Sequence, residues 1–319
     1  MKLIAKFFKI ILLVSLAFLV IVFILFGYRD IPVNNLKEKY APAPSSFITI
    51  DGMEVHYRDE GFKLDTLPLV LIHGTGSSLH TFDMWVTSMK SEKRVVRMDI
   101  PGFGLTGPFP DRHYSMINYV NFIESFLTSK GIKKCILGGN SLGGQIAWQF
   151  AIKNPDMVDK LILIDAAGYP LESKSVPIAF KMARTPVLNK ILTYITPRFM
   201  VKASIENVYA DKKKVTDPLV DRYFKMTLRE GNRQALVDRM KMGSDTTSQH
   251  LIKTIQQPTL VMWGEQDLLI PLKSAYRFHN DLPNDTLVIL KNMGHVPMEE
   301  SPQESLAVLL QFLENDLIQ

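Results

Sequence analysis

The chain has 319 residues, 46% hydrophobic and 22% charged, with a formal net charge of +5. That composition excludes a disordered polymer and leaves ample apolar material for a buried core. A single cysteine, Cys135, excludes an intrachain disulfide and a cysteine-based zinc site, and its apolar neighbours mark it as a buried strand thiol.

The first elements are unlike the rest. Ile10 to Phe26 is an uncharged apolar run. Extended back to Leu3, it makes about 36 Å of helix, enough to cross a hydrocarbon core of about 30 Å. A cleavable signal peptide is the competing reading, since Lys2, Lys6 and Lys9 form a positive start. Gly27-Tyr28-Arg29 stands where a small-residue cleavage site would be needed, so residues 1–28 read as a retained transmembrane anchor. The lysines before the span favour an inside N-terminus and an extracytoplasmic main domain. Residues 29–46 read as a tether, because Pro32, Pro42 and Pro44 break helices.

Residues 47–167 open a globular core. Phe47–Ile50 and Met53–Arg58, joined by Asp51-Gly52, predict a hairpin. Short β-rich runs follow at Leu69–Ile72, Val95–Ile100, Cys135–Leu137 and Leu161–Ile164. Helical stretches lie between them at Phe82–Met89, Met116–Lys130 and Leu142–Lys153. Strands that are apolar throughout predict a mostly parallel sheet covered on both faces, an α/β fold. Residues 168–254 lack a convincing strand and carry apolar residues at helical spacing, as in Val187, Leu188, Ile191, Leu192 and Ile195. They read as an inserted helical cap. Sixteen lysines and arginines against eight acids concentrate positive charge there, most densely at Lys212-Lys213-Lys214, which would face anionic lipid. Residues 255–319 return to the core with strands at Thr259–Trp263 and Thr286–Leu290 and a closing helix at Gln303–Leu317.

Gly139-Asn140-Ser141-Leu142-Gly143 lies directly after a strand and before a helix. Flanking glycines permit the sharp turn that presents a serine hydroxyl beside a helix N-terminus, where negative charge is favoured. A serine needs a base to take its proton and a carboxylate to orient that base. His295, in Gly294-His295-Val296 after the last strand, fits the base; His250 falls in the cap and His279 inside a helix. Asp267, in the loop after Thr259–Trp263, fits the acid, with Glu265 as the alternative and Asp165 as a variant placement. Two backbone N–H groups must stabilise the oxyanion: that of Leu142, and that of Thr75 in His73-Gly74-Thr75-Gly76. His73 precedes the serine and reads as a residue that orders this loop. Gly102-Phe103-Gly104-Leu105-Thr106-Gly107 mimics a dinucleotide fingerprint, but Pro108 and Pro110 prevent the helix that would receive a pyrophosphate. The proposed chemistry requires no metal and no cofactor, and no nucleic-acid reading motif appears.

These residues, with Asp99 to Gly104, Trp263 to Asp267 and Gly294 to Pro297, resemble the capped α/β-hydrolase superfamily over nearly all of Phe47–Gln319. The pattern is similar to membrane-anchored bacterial carboxylesterases, lipases and monoacylglycerol lipases. That resemblance implies hydrolysis of a hydrophobic ester through an acyl-enzyme, at a lipid bilayer. A subfamily that hydrolyses carbon–carbon bonds shares the Gly-Asn-Ser elbow, and its members usually place tryptophan after the histidine, where this chain has Val296. A membrane-tethered binding protein on the same fold is the non-catalytic alternative.

Overall fold

The computed structural model describes residues 2–243 and 245–314, and opens with helix α1 (Lys2–Phe26). Most of its described apolar side chains are exposed, and it is long and apolar enough to span a membrane. The segment read as a tether is not loose. Between Pro32 and Pro42 it forms α2 (Asn34–Tyr40), whose Leu36 and Tyr40, four residues apart, share one buried face against Leu105 and Met226. Upstream, Ile31 exchanges backbone hydrogen bonds with Leu228 and Glu230, and Asp30 pairs with the buried Arg233 at 2.6 Å. The prolines bound this helix; they do not forbid it.

Among the described residues, one sheet contains β1 (Ser46–Ile50), β2 (Met53–Gly61), β3 (Leu69–Ile72), β4 (Arg94–Met98), β5 (Cys135–Asn140), β6 (Val158–Ile164), β7 (Thr259–Gly264) and β8 (Asp285–Leu290). The order is β1-β2-β4-β3-β5-β6-β7-β8, antiparallel at β1–β2 and β2–β4 and parallel elsewhere. β5 runs three residues beyond the expected Leu137. Gly138 and Gly139 lack strand propensity, yet their neighbours β3 and β6 pair with both.

Helices α3 (Asp83–Met89), α4 (Met116–Ser129) and α5 (Leu142–Lys153) follow β3, β4 and β5. Between β6 and β7 come α6 (Ile178–Arg184), α7 (Leu188–Leu192), α8 (Arg198–Glu206), α9 (Asp217–Thr227) and α10 (Asn232–Lys241), the helical insertion expected there. The chain then adds α11 (Lys273–Asp281), α12 (Pro297–Glu300) and α13 (Pro302–Glu314); residues 315–317 of the expected closing helix lie outside the described residues. Alternation within strands divides the core. Val70 and Ile72 pack with Phe122, Trp148 and Phe278 on one face, and Leu69 and Leu71 with Trp85, Leu306 and Leu309 on the other. Both faces are covered, which explains why the strands are apolar throughout. The carboxyl ends of β3, β5, β6, β7 and β8 all reach the same edge, where the loops of interest gather.

Candidate active site

β5 delivers Ser141 to that edge. Its backbone takes φ 57° and ψ −115°, a strained conformation for a residue with a side chain. Hydrogen bonds from Ser141 N to Ile164 O and from Ala167 N to Ser141 O, each 3.0 Å, pin the turn between two strands. The flanking glycines are sterically required: a Cβ at Gly139 would collide with the Gly143 backbone, and one at Gly143 with the carbonyl of Ile72. α5 starts at Leu142, so its first amide sits beside the serine.

His295 and Asp267 are brought together. His295 Nδ1 lies 2.6 Å from Asp267 Oδ2, and both side chains are buried. An ionised carboxylate only accepts, so Nδ1 carries the proton and Nε2 keeps a lone pair. Asp267 Oδ1 accepts from Leu269 N at 2.8 Å and Ile270 N at 3.0 Å, which fixes the carboxylate plane. Glu265 is exposed and its carboxylate faces Asn292 N, away from the imidazole. The serine loop is tied to the histidine loop by Asn140, whose Nδ2 donates to His295 O at 2.9 Å. Among the described residues the Ser141 hydroxyl has no hydrogen bond.

Thr75 and Leu142 line the same pocket as Ser141. Neither backbone N–H donates to a protein acceptor among the described residues. His73 orders this loop: its Nδ1 donates to Gly74 O at 2.8 Å and its Nε2 accepts from Ile100 N at 3.1 Å. Burial pushes its pKa down, so the ring is neutral at physiological pH. The Asp99–Gly104 motif is a buried turn. Asp99 accepts from Leu79 N, Leu105 N and His56 Nδ1, each at 2.7 Å, and a Cβ at Gly104 would collide with the Asp99 carboxyl. His250 and His279 bond locally, to Thr247 O and Asp285, away from this site.

Three features were not evident from local sequence. Asp165, at the end of β6, has a carboxyl oxygen in a cluster with Asp267 and His295 whose donor atoms all lie within 4.8 Å of one another. Arg184 and Arg239 from the cap line the space in front of Ser141. Burial pushes the Arg239 pKa down, and its Nη1 is held by Gly243 O at 2.8 Å. A second, mainly apolar pocket also starts at Thr75 and runs among cap residues including Phe180, Leu192, Met200, Ile205 and Leu236. The Lys212–Lys214 cluster forms an exposed turn, and Lys214 Nζ donates to Glu300 O at 2.9 Å.

Comparison with known proteins places this geometry. The chain is 26% identical over 275 residues to the 2-hydroxy-6-oxo-6-(2'-aminophenyl)hexa-2,4-dienoic acid hydrolase of Metapseudomonas resinovorans, covering 84% of this chain and 90% of that protein. A solved meta-cleavage product hydrolase from Pseudomonas fluorescens IP01 superposes with a TM-score of 0.75 at 22% identity, covering 85% of this chain and 98% of the other. A solved membrane phospholipase A superposes with a TM-score of 0.67 at 23% identity and covers 100% of both chains. Strands β3 to β8, the serine elbow and the histidine loop fall within residues 69–308, which match the model of the alpha/beta hydrolase family, and to that family the chain belongs.

Proposed function

We propose that this protein is a serine hydrolase that cleaves carboxylic esters of hydrophobic, lipid-like substrates. The observation that carries this reading is the apolar pocket that starts at Thr75 and passes between cap helices α6, α8 and α10. An acyl chain laid there would bring its carbonyl to Ser141, with the Thr75 and Leu142 amides at the oxygen. Ser141 Oγ would attack while His295 Nε2 takes the proton, and Asp267 would hold the imidazole and balance its charge. The alcohol would leave with that proton, and water would release the acid from the acyl-enzyme by the same steps.

The same reading makes α1 a membrane anchor, with the catalytic domain on the extracytoplasmic side. The fold likeness to the membrane phospholipase A extends over the whole chain. At the end of α1, Phe26 packs edge-on against Phe199 with ring centroids 5.7 Å apart, and Phe199, Tyr194, Val187 and Ile178 on the cap are exposed. An apolar surface beside the exit of an apolar helix suits contact with lipid. Alkaline carbonate extraction and the mass of the mature N-terminus test the anchor. A soluble protein lacking residues 1–27 would refute it.

A second reading, carbon–carbon bond hydrolysis, has more support from the comparisons than ester hydrolysis does. The relative from Metapseudomonas resinovorans is named as the hydrolase of a 2-hydroxy-6-oxo-dienoic acid. Arg184 and Arg239 beside Ser141 would suit such a carboxylate. Val296 departs from the tryptophan usual at that position in such enzymes. Turnover of p-nitrophenyl esters of increasing chain length, monoacylglycerols and a 2-hydroxy-6-oxo-dienoate decides between them. Faster hydrolysis of the dienoate than of every ester would replace ester hydrolysis with the second reading. Labelling by a fluorophosphonate probe that vanishes in Ser141→Ala would establish the nucleophile under either.

A further inference from the structure

Two buried carboxyl groups cluster with one imidazole at the sheet edge, and a third acts on them through its charge. Asp267 stands in the loop after β7, Glu300 on α12, and Asp165 at the end of β6. They are unequally supplied with donors. Asp267 accepts from Leu269 N, Ile270 N and His295 Nδ1. Glu300 accepts from Asp211 N at 2.7 Å, Gly294 N at 2.8 Å and Ala210 N at 3.2 Å. Asp165, fully buried, accepts only from Gly264 N at 3.0 Å, and its Oδ2 has no partner among the described residues.

A buried carboxylate with one donor and a bare oxygen is costly, whereas the neutral acid turns that oxygen into a donor. Close carboxyls cannot all ionise, and the least solvated one keeps its proton. An acceptor with capacity to spare is Asp267, a member of the same cluster. Asp165 is held there by the fold: its φ is +44°, and its N–H donates to Met262 O at 3.0 Å, from the end of β6 to β7.

We propose that Asp165 is a positioning residue that remains protonated in the working enzyme and donates its carboxylic proton to Asp267. It completes the set of donors around the carboxylate that orients His295, and adds no second negative charge beside the imidazole. The direction of its titration agrees: burial, followed by the charge of Asp267, lifts Asp165 well above the ordinary carboxylate range. The charged and titratable groups facing it are Asp267, Glu300 and His295. This role in catalysis rests on the Ser141–His295–Asp267 reading, whereas the protonation of Asp165 does not.

The test uses the full chain in detergent. Infrared difference spectra between wild type and Asp165→Asn at neutral pH should show a carboxylic-acid carbonyl band present only in wild type; no such band would overturn the proposal. The rate of fluorophosphonate labelling against pH is the second readout. In Asp165→Asn, which keeps a donor and neutrality, the acid limb should stay where it is in wild type. A downward shift of about one unit or more would mean that Asp165 was ionised and had been raising the imidazole. Asp165→Leu, which removes the donor, should slow labelling about tenfold, the worth of one hydrogen bond to a charged group, with Asp165→Asn restoring most of the rate. Wild-type labelling speed in a folded Asp165→Leu would remove the positioning role. Wild type that does not label would refute the serine mechanism, and the infrared band would still decide the state of Asp165.

Discussion

Replacing Asp267 by asparagine is the sharpest probe of the proposed mechanism. The two main-chain donors to Oδ1, from Leu269 and Ile270, would select the amide oxygen for that side, because both need an acceptor. The amide NH2 would then face His295 Nδ1, now 2.6 Å from Oδ2. Two donors cannot share that bond, so the imidazole would give up its Nδ1 proton and carry one on Nε2, the nitrogen that must accept from Ser141. An enzyme with the wrong tautomer and no counter-charge loses turnover by about 10⁴-fold, or about 5.5 kcal/mol of transition-state stabilisation. Esterase turnover with a p-nitrophenyl substrate measures the loss, and thermal melting with near-UV dichroism checks that the fold is intact. Near-wild-type turnover in folded Asp267→Asn would refute the assignment. If Glu265→Gln were then inactive, the acid would have to be sought on the other side of the β7 loop.

His80 should make the protein sensitive to moderate acid. Its Nε2 donates to Tyr40 O at 2.8 Å and burial lowers its pKa to about 4, against nearby Asp99 and Asp83, which raise it, and Arg222 and Arg58, which lower it further. Because the unfolded chain binds the proton first, the contribution is intact above about pH 6.5 and is lost as pH falls toward about 4, up to about 3 kcal/mol. Urea unfolding of wild type and His80→Gln across that window should show the slope flattened in the variant; equal slopes would refute it. Gly143→Ala should cost about 3 kcal/mol or prevent folding, since its methyl would strike the carbonyl of Ile72; an unchanged melting temperature would be inconsistent with the described turn. Leu36→Ala should cost about 2 kcal/mol by opening a cavity under α2 and expose residues 29–45 to protease. Resistance equal to wild type would show that α2 does not hold that segment.

The residues at the centre of the proposed site were legible because each carries its own local cause. Ser141 needs glycines around it, and His295 and Asp267 lie in loops directly after β8 and β7. The fold was legible for a similar reason, since strands buried on two faces must be apolar throughout. What could not be read depends on how distant loops meet. Asp165 faces Asp267 because the parallel pairing of β6 with β7 sets Ile164 opposite Met262, a register that no short stretch of sequence contains. Arg239 reaches the pocket only through the path of five cap helices. Helix α2 was hidden by the prolines at its ends, because Leu36 and Tyr40 are too few to make a periodic stripe visible without the surface they cover.

The attachment of residues 28–40 has a mechanical consequence. Tyr28 N donates to Tyr194 O at 3.0 Å, Gly27 bridges Ile195, and Ile31 pairs beside the turn between α9 and α10. The chain leaving α1 is therefore strapped to the cap at two places before it reaches the sheet. A cap of this kind cannot swing outward on its own. Either the strap and the base of α1 travel with it as one lever, or those backbone pairs break first. If α1 is the proposed anchor, a load applied to it would pass through these backbone pairs to the cap residues that line the pocket of Ser141.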